Sequence, residues 1–435
     1  MSKHKANYMS AAEAARLIHS GDHIYVQGST SVPDVLLAAI ADRASELRDL
    51  TFYTGFSVSP GPAPFCRPEC EENYFVDSFF VSNNVRDWIE RGFGAVTPRF
   101  LADVPALFRR DYWPLEVVLL NCSLPNEDGY VSFGVGGDVA CSAVECGKTL
   151  IAQINPQMPY THGDPVVHIS RLAAAVEVDA PLVEVPTPVP TEAEVRIGRH
   201  IAELIPDGAT LQIGVGGIPN AVIAALADHR DLGLHTEAMT DGVLPLIEKG
   251  VINNSRKKIL PGRSVASLAL GSRRLYDYLD GNRDVVFRDV AWTNDPYIIG
   301  QNPAVMSINS CLEVDLTGQV CADSIGEKIY SGVGGQHDFV IGASRSEGGR
   351  SFIAMLASTR RGASKIKATL TAGAGVVTSR FAVEYIVTEY GCVNLRGVNM
   401  AERARRLISV AAPEHREELE REALRRFGRA FQRYK

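Results

Sequence analysis

The segment GVGGIPNAVIAALADH at residues 214–229 decides the fold, because a similar segment, GSTSVPDVLLAAIADR, occupies residues 28–43. Aligned on their first glycines, the two segments match Pro33 with Pro219 and share an alanine pair and an aspartate further on. A pattern typical of a buried strand leads into each glycine, in HIYVQG and TLQIGVG, and an apolar helical pattern follows each proline. We therefore predict the same strand, glycine loop and helix twice in one chain.

Further segments repeat in the same order and extend the duplication along the chain. They are the helix-capping patterns Ser10 with Glu13 and Thr191 with Glu194, the loops FGVGGD (133–138) and SGVGGQ (331–336), and the strands KTLIAQI (148–154) and RSFIAML (350–356). A connector with three prolines, VEVPTPVPTEAE at 183–194, separates the two halves. We predict two related domains, residues 1–185 and residues 190–435.

Short buried-strand patterns alternate with helical patterns in both halves. LEVVLLN at 115–121 is another such strand, in addition to those that precede the repeated glycine loops. This alternation predicts an α/β fold with mainly parallel sheets. In such folds ligands bind at the carboxyl ends of the strands, which is where the glycine loops are expected.

The composition excludes several classes of function. The 435 residues carry a net charge of −7 without a basic stripe, which argues against a nucleic acid or an anionic membrane as partner. No apolar run approaches the roughly 18 residues of a membrane span, and MSKHKANYMSAAEAARLI lacks the apolar centre of a signal peptide. The eight cysteines form no C-x-x-C pair, so we predict reduced thiols, no metal site and a cytoplasmic protein.

A second strand pattern ends at Glu237, in the segment LGLHTEAMTDG (232–242). A glutamate beside a turn is usually a plain surface residue. The duplication argues otherwise, because RDLTFYTG (48–55) aligns with RDLGLHTE (230–237) and Gly55 stands where the second copy has Glu237. Since the shared scaffold does not require this carboxylate, we interpret Glu237 as a nucleophile carried by the second half alone.

Two glycine loops are candidates for anion binding. GVGGIP (214–219) opens a helix, whose first N–H groups can face a ligand. Pro219 replaces the third glycine of G-x-G-x-x-G, which argues against a dinucleotide site. SGVGGQHDF (331–339) offers the paired N–H groups that an oxyanion needs. For each loop a tight turn without a ligand stays open as the alternative.

Four segments taken together, GVGGIPNAV, HTEAMTDGVLPLIEKGVI, SGVGGQHDF and VTEYGCVNLRG, resemble the acetyl-CoA hydrolase/transferase family. Their form is most similar to the 4-hydroxybutyrate (butyryl-CoA:acetate) CoA-transferases within it, and the similarity runs from about residue 10 to about residue 412. The resemblance implies two tandem α/β domains of CoA-transferase type, the second of them catalytic. It also implies that the glutamate of the T-E-x-x-x-D-G motif, here Glu237, forms a glutamyl-CoA thioester.

The resemblance implies further contacts with CoA. The first glycine loop contributes Gly214, Val215, Gly216, Gly217 and Ile218. The second loop contributes Ser331, Gly332 and Gly335, and the N–H of Gly334 or Gly335 stabilises the oxyanion. Related sequences often carry Lys-Gly-Gly-Lys after this loop, whereas this chain has Arg350 at the last position of SEGGR (346–350), so Arg350 is expected to replace a lysine contact.

The implied function is transfer of CoA from an acyl-CoA to a small carboxylic acid by ping-pong kinetics. CoA is then a substrate, and no permanently bound cofactor is expected. Two alternatives stay open: an acyl-CoA hydrolase, in which water consumes the glutamyl-CoA, and a non-catalytic CoA-binding regulator. We interpret His235 and His337 as structural. Two-domain enzymes of this kind often self-associate, so a homo-oligomer is a further expectation, and the acid pair stays open.

Overall fold

The computed structural model describes residues 7–433, so the start of the N-terminal segment, residues 1–6, lies outside the described residues. The chain forms two compact units. Among the described residues, the first unit comprises 7–186, 237–241 and 265–293, and the second comprises 187–236, 242–264 and 294–433. The linear division predicted from the repeat differs from these units, because two segments of the second half belong to the first unit.

The first part of the chain, up to the proline-rich connector, alternates helices with mostly buried strands. Its helices are α1 (Ala11–Ala15), α2 (Asp34–Ala41), α3 (Arg86–Glu90), α4 (Val104–Arg109) and α5 (Ala140–Cys146). Its strands are β1 (His23–Val26), β2 (Leu50–Thr54), β3 (Tyr74–Ser78), β4 (Gly94–Val96), β5 (Val117–Cys122), β6 (Tyr130–Ser132), β7 (Thr149–Ile154), β8 (His162–Gly163), β9 (Val166–His168) and β10 (Ala174–Glu177).

The second part of the chain contains the longer helices. They are α6 (Glu192–Ala202), α7 (Gly217–Ala225), α8 (Leu244–Glu248), α9 (Arg273–Leu279), α10 (Val290–Thr293), α11 (Pro296–Gly300), α12 (Gln336–Arg345), α13 (Met400–Ser409), α14 (Pro413–Phe427) and α15 (Arg429–Gln432). The strands are β11 (Thr210–Ile213), β12 (Gly233–Leu234), β13 (Ala238–Met239), β14 (Ser264–Ala266), β15 (Leu268–Ala269), β16 (Val285–Phe287), β17 (Val305–Ser310), β18 (Glu313–Asp315), β19 (Val320–Cys321), β20 (Ser324–Ile325), β21 (Lys328–Ile329), β22 (Arg350–Ala354), β23 (Ile366–Lys367), β24 (Tyr385–Thr388) and β25 (Gly391–Asn394).

Each unit is built on one large, mainly parallel sheet. The first has the strand order β10-β7-β5-β1-β2-β3-β4, and every neighbouring pair in it is parallel. The second has the order β12-β11-β17-β22-β24-β25, in which the last pair alone is antiparallel within the described chain. The predicted α/β class with mainly parallel sheets is confirmed.

The duplication is visible in the backbone. The order β2-β1-β5-β7-β10 in the first sheet corresponds to β12-β11-β17-β22-β24 in the second. At the turn before β1, Gly21 N–H donates to the Arg48 carbonyl at 2.9 Å, and before β11 Gly208 N–H donates to the Arg230 carbonyl at the same distance. Both predicted capping boxes also form, at the N-termini of α1 and α6. The two halves therefore share local hydrogen bonds as well as strand order.

The first sheet is buried on both faces, which is the usual arrangement of a parallel sheet flanked by helices. Ile24 and Val26 of β1 pack into one apolar cluster, and Tyr25, between them, packs into another on the opposite face. Each of the eight cysteines is a free thiol. Among residues 7–433, no helix is long and apolar enough to span a bilayer.

Candidate active site

The first glycine loop lies at the carboxyl edge of the second sheet. β11 ends at Ile213, Gly214 N–H donates to the Ile308 carbonyl at 3.0 Å, and α7 begins at Gly217. Gly216 has φ of 130°, a conformation that side chains rarely adopt, so a glycine is required there. The N–H groups of residues 215–217 donate to no described residue. The loop therefore presents unpaired donors at a helix N-terminus, where an anion is favoured.

The second glycine loop lies at the same edge. It runs from Ser331 to Gly335 and leads into α12, which carries the chain back toward the amino end of β22. Ser331 N–H donates to the Asp323 carbonyl at 3.0 Å, and Gly334 has φ of 56°. From 332 to 335 the backbone N–H groups find no acceptor in the part of the chain that the structure describes. These are free donors of the kind that stabilise an oxyanion.

The strand that delivers Glu237 pairs with the strand that precedes the first glycine loop. β12 lies parallel to β11, and the Thr236 hydroxyl accepts from Ile213 N–H at 3.3 Å and donates to the Ile213 carbonyl at 3.2 Å. Thr236 is therefore held beside Ile213, which is the last residue of β11 and directly precedes Gly214. Glu237, which is half-buried, is the next residue along the chain.

Within the first unit, the backbone of Glu237 is fastened to the segment 265–269. Its carbonyl accepts from Ser267 N–H at 2.9 Å and from Leu268 N–H at 3.0 Å, and β13, which follows it, pairs with β15. Ala269, in β15, donates its N–H to the Val135 carbonyl at 2.9 Å and accepts from the Ser29 hydroxyl at 2.9 Å. The nucleophile candidate thus begins a ribbon that contacts both repeated loops of the first unit, GSTS and FGVGGD.

Sequence reasoning missed these surroundings of Glu237 within the first unit. Gln27 is fully buried and donates to the carbonyls of Phe133 and Gly136 at 2.7 and 2.9 Å, which fixes the FGVGGD loop. A side chain at Gly136 would meet the Gly28 carbonyl at 2.9 Å, so the two loops touch through their backbones. The repeat of FGVGGD as SGVGGQ was the available signal, since it marked both loops as members of one structural class.

Arg350 does not join the other predicted residues. It is the first residue of β22, and in a parallel sheet the amino end of a strand lies at the edge opposite the glycine loops. Its guanidinium donates to the Leu204 carbonyl, at the end of α6, at 2.6 Å. This placement argues against the predicted contact with CoA. The SEGGR turn precedes β22 and therefore lies at the amino edge of the sheet. Ligands are expected at the opposite, carboxyl edge, which the chain reaches only after passing through a strand.

The two histidines near the motifs lie in packed surroundings of the second unit. His235 is buried, with the Asn302 amide nitrogen 3.4 Å from its Nδ1 and the Phe339 ring edge-on at 6.2 Å. Burial lowers the pKa of His337 below its usual value, so its neutral form is favoured. Both observations favour a structural role. Among residues 7–433, no group of three or more His, Cys, Asp or Glu side chains could hold a metal ion.

Comparison with known proteins places this architecture in a family. Residues 1–189 match the acetyl-CoA hydrolase/transferase N-terminal domain, and residues 271–423 match the C-terminal domain of the same name. The chain belongs to the acetyl-CoA hydrolase/transferase family. Within this family, a succinyl-CoA:acetate/propanoyl-CoA:succinate CoA transferase of Fasciola hepatica is 41% identical over 95% of this chain and 87% of its own length.

Two further proteins match this chain over nearly their whole length. A 4-hydroxybutyrate coenzyme A transferase of Clostridium kluyveri is 38% identical over 98% of this chain and 99% of its own. The crystal structure of a 4-hydroxybutyrate CoA-transferase from Porphyromonas gingivalis matches with a TM-score of 0.83 and 37% identity. That match covers 97% of this chain and 98% of the other. The resemblance predicted from the motifs is confirmed at the level of the family.

Proposed function

We propose that this protein is a CoA-transferase that moves CoA from an acyl-CoA to a small carboxylic acid, with Glu237 as covalent nucleophile. The observation that carries the proposal is the position of Glu237, which directly follows Thr236 at the carboxyl edge where both glycine loops present unpaired N–H groups. The CoA-transferase names of the relatives from Fasciola and Clostridium support the reaction class.

The proposed reaction balances without an oxidant, a metal or a nucleotide. The Glu237 carboxylate attacks the acyl-CoA carbonyl, the C–S bond breaks, and a mixed anhydride and CoA thiolate form. The thiolate then attacks the glutamyl carbonyl of the anhydride, which releases the first acid as a carboxylate and leaves glutamyl-CoA. An incoming carboxylate runs both steps in reverse. Every intermediate keeps an activated acyl bond, and ping-pong kinetics follow because the first acid leaves before the acceptor acid reacts with the glutamyl-CoA.

The glycine loops supply the electrostatic part of this mechanism. Each acyl transfer passes through a tetrahedral oxyanion, and N–H groups fixed in advance stabilise it, at about 3–4 kcal/mol for one donor. The N–H groups of Gly334 and Gly335 are the proposed donors, because they precede α12 and donate to no described residue. Val215 to Ile218 are proposed to contact CoA through the N-terminus of α7.

Borohydride trapping tests the covalent step. The protein is incubated with an acyl-CoA and no acceptor, reduced with sodium borohydride, and digested for mass spectrometry. The expected result is conversion of the Glu237 side chain to an alcohol, since borohydride reduces a thioester and spares a free carboxylate. An unmodified peptide after incubation with an acyl-CoA that the protein turns over would remove Glu237 as the nucleophile.

The same preparation distinguishes a transferase from a hydrolase. A transferase forms the acyl-CoA of the acceptor acid, in proportion to the acceptor added, and releases no free CoA, whereas a hydrolase releases free CoA continuously in the absence of any acceptor. A panel of small acids, including acetate, butyrate and 4-hydroxybutyrate, then identifies the acceptor. We also propose a cytoplasmic location, which the eight free thiols support because reducing compartments preserve them.

A further inference from the structure

The ribbon that Glu237 begins is a two-stranded parallel ladder, in which β13 pairs with β15. The Glu237 carbonyl accepts from Leu268 N–H at 3.0 Å. Two residues further along both strands, the Met239 carbonyl accepts from Leu270 N–H at 3.0 Å. These two bonds have the regular two-residue spacing of a parallel ladder.

Asp241 makes the third bond of this ladder with its side chain. Two residues after Met239, its carboxylate accepts from Ser272 N–H at 2.7 Å, and Ser272 is itself two residues after Leu270. The same carboxylate accepts from the Ser272 hydroxyl. A 3₁₀ turn begins at Asp241, so the backbone leaves the ladder at this residue. The side chain therefore continues the ladder by one bond where the backbone turns away.

The packing around Asp241 keeps its carboxylate beside Ser272. A side chain at Gly271 would overlap this carboxylate, so the two segments approach closely only because position 271 is a glycine. The Gly271 carbonyl accepts from Val185 N–H at 2.9 Å, which fixes the turn between β15 and α9. The partner of Asp241 is thus held in place by contacts that Asp241 does not make.

The ladder explains the spacing of the T-E-x-x-x-D-G motif. Glu237 and Asp241 are four residues apart, which is two steps of a parallel ladder, so both positions bond to the neighbouring strand. β13 and β15 contain two residues each, and strands this short specify their register weakly. A slip by one residue would turn the side chains of the slipped strand to its opposite face. A further bond at a fixed distance from Glu237 opposes such a slip.

We propose that Asp241 is a positioning residue for the nucleophile, and that it fixes the register of the Glu237 ribbon through Ser272. The inference rests on the proposed CoA-transferase function and assigns a role to the second acidic residue of the motif. Asp241 acts through the backbone that carries Glu237 and touches no reacting atom. Its effect on rate is expected to be large, because a displacement of about 1 Å at a reacting group can cost about 10²-fold.

The rate of covalent charging tests the assignment. The protein is mixed with excess acyl-CoA and no acceptor, quenched at intervals and reduced with borohydride. Mass spectrometry then gives the rate constant for labelling of Glu237 and the final labelled fraction. Asp241→Ala is expected to lower the rate constant by about tenfold or more and to leave the final fraction unchanged. Asp241→Asn should stay within about threefold of the original, because its amide oxygen can accept from Ser272 N–H and its amide nitrogen can donate to the Ser272 hydroxyl.

Asp295→Ala is the matched control. Asp295 is also an aspartate at a helix N-terminus, where it accepts from Tyr297 N–H at 2.8 Å, but it lies outside the ribbon. Its loss should lower the urea midpoint and leave the rate constant unchanged. Ser272→Ala replaces Asp241→Ala if the latter does not fold. It keeps the backbone bond and loses the hydroxyl alone, so charging is expected to slow by about threefold.

The outcomes separate this inference from the function on which it rests. If the unmodified protein is labelled at Glu237 and the folded ribbon variant is labelled at the same rate, the role of Asp241 is wrong and the CoA-transferase proposal stands. A smaller labelled fraction at an unchanged rate constant would indicate a purely structural residue and would also overturn the assignment. So would an Asp241→Asn variant as slow as Asp241→Ala, since the charge and not the ladder bond would then matter. If no acyl-CoA labels the unmodified protein, the function fails and the assignment fails with it.

Discussion

The Thr236 hydroxyl makes two hydrogen bonds to one residue, Ile213, accepting from its N–H at 3.3 Å and donating to its carbonyl at 3.2 Å. β12 contains two residues, so regular pairing with β11 ends early, and this side chain continues the attachment. Ile213 is followed by the first glycine loop, and Thr236 is followed by Glu237. A single threonine therefore holds together the chain positions from which the proposed anion site and the proposed nucleophile begin.

Thr236→Val should weaken both the fold and the reaction. Valine has nearly the same shape but cannot replace either hydrogen bond, so the free energy of unfolding is expected to fall by about 1–2 kcal/mol. We expect kcat to fall by at least about tenfold, because small displacements of a reacting group are costly. Urea unfolding and steady-state assays on the same preparation measure the two effects.

The duplication provides a matched control for that variant. Thr54 occupies the equivalent position in the first half, and its hydroxyl is buried without a partner among the described residues. Thr54→Val should therefore leave stability unchanged or raise it, since no hydrogen bond is lost. Equal losses of unfolding free energy in Thr236→Val and Thr54→Val would show that the two Thr236–Ile213 hydrogen bonds do not stabilise the fold.

Glu237→Gln should remove transferase activity while the protein stays folded. The amide keeps the size of the carboxylate but is a far weaker nucleophile, so kcat is expected to fall at least about 10³-fold. The melting temperature should stay within about 2 °C of the original, because the substitution only replaces one carboxylate oxygen of a half-buried side chain with an amide nitrogen. Turnover above a few per cent of the original would exclude Glu237 from the covalent step.

The local features of this fold could be predicted from the sequence because the chain carries them twice. The aligned pair Asp49 and Asp231 shows how closely the copies agree, since both adopt φ of 56°. The capping boxes, the strand patterns and the glycine loops are equally local, and they are where the repeat placed them. Short-range patterns of this kind depend on neighbouring residues, which a single sequence contains.

The surroundings of Glu237 could not be predicted in the same way. Its carbonyl is held by Ser267 and Leu268, about thirty residues further on, and the ribbon they form contacts Val135 and Ser29. Such pairings depend on tertiary contacts that leave no periodicity in the sequence. The position of Arg350 also depends on tertiary structure, because the motif behind its expected contact with CoA does not show which end of β22 the residue occupies.

Lys257 gives the protein a predictable pH dependence of stability. Its ammonium is buried and donates to the carbonyls of Leu234 and Arg263 at 2.9 and 2.6 Å, and burial lowers its pKa from 10.5 to about 7. Between pH 7 and pH 10 the unfolded chain therefore binds a proton at this residue that the folded chain does not. The contribution of Lys257 to the free energy of unfolding should rise with pH across that window, by about 1 kcal/mol per unit.

A comparison of the original protein with Lys257→Met isolates this contribution. Methionine fills similar space without a titratable group, so the difference in unfolding free energy between the two proteins should shift in favour of lysine by about 2 kcal/mol from pH 7 to pH 9. Urea unfolding at both pH values measures it, and all other titrating groups cancel in the difference. A difference that stays constant with pH would mean that Lys257 remains charged in the folded protein.

Ser29 allows two effects to be separated at one position. It is fully buried, its φ is 57°, and its hydroxyl donates to the carbonyl of Ala269 in β15, the strand paired with the segment that Glu237 begins. Ser29→Ala leaves that carbonyl without its donor and keeps the left-handed backbone, so it should lower the unfolding free energy by about 1–2 kcal/mol. Ser29→Gly loses the same hydrogen bond but relieves the backbone strain, which is worth about 1 kcal/mol, so it should be the more stable of the two.

Both Ser29 variants should show a lower kcat, because each loses the hydrogen bond to Ala269 that anchors the ribbon begun by Glu237. If kcat follows stability instead, with glycine close to the original and alanine impaired, Ser29 supports the fold and does not position the nucleophile.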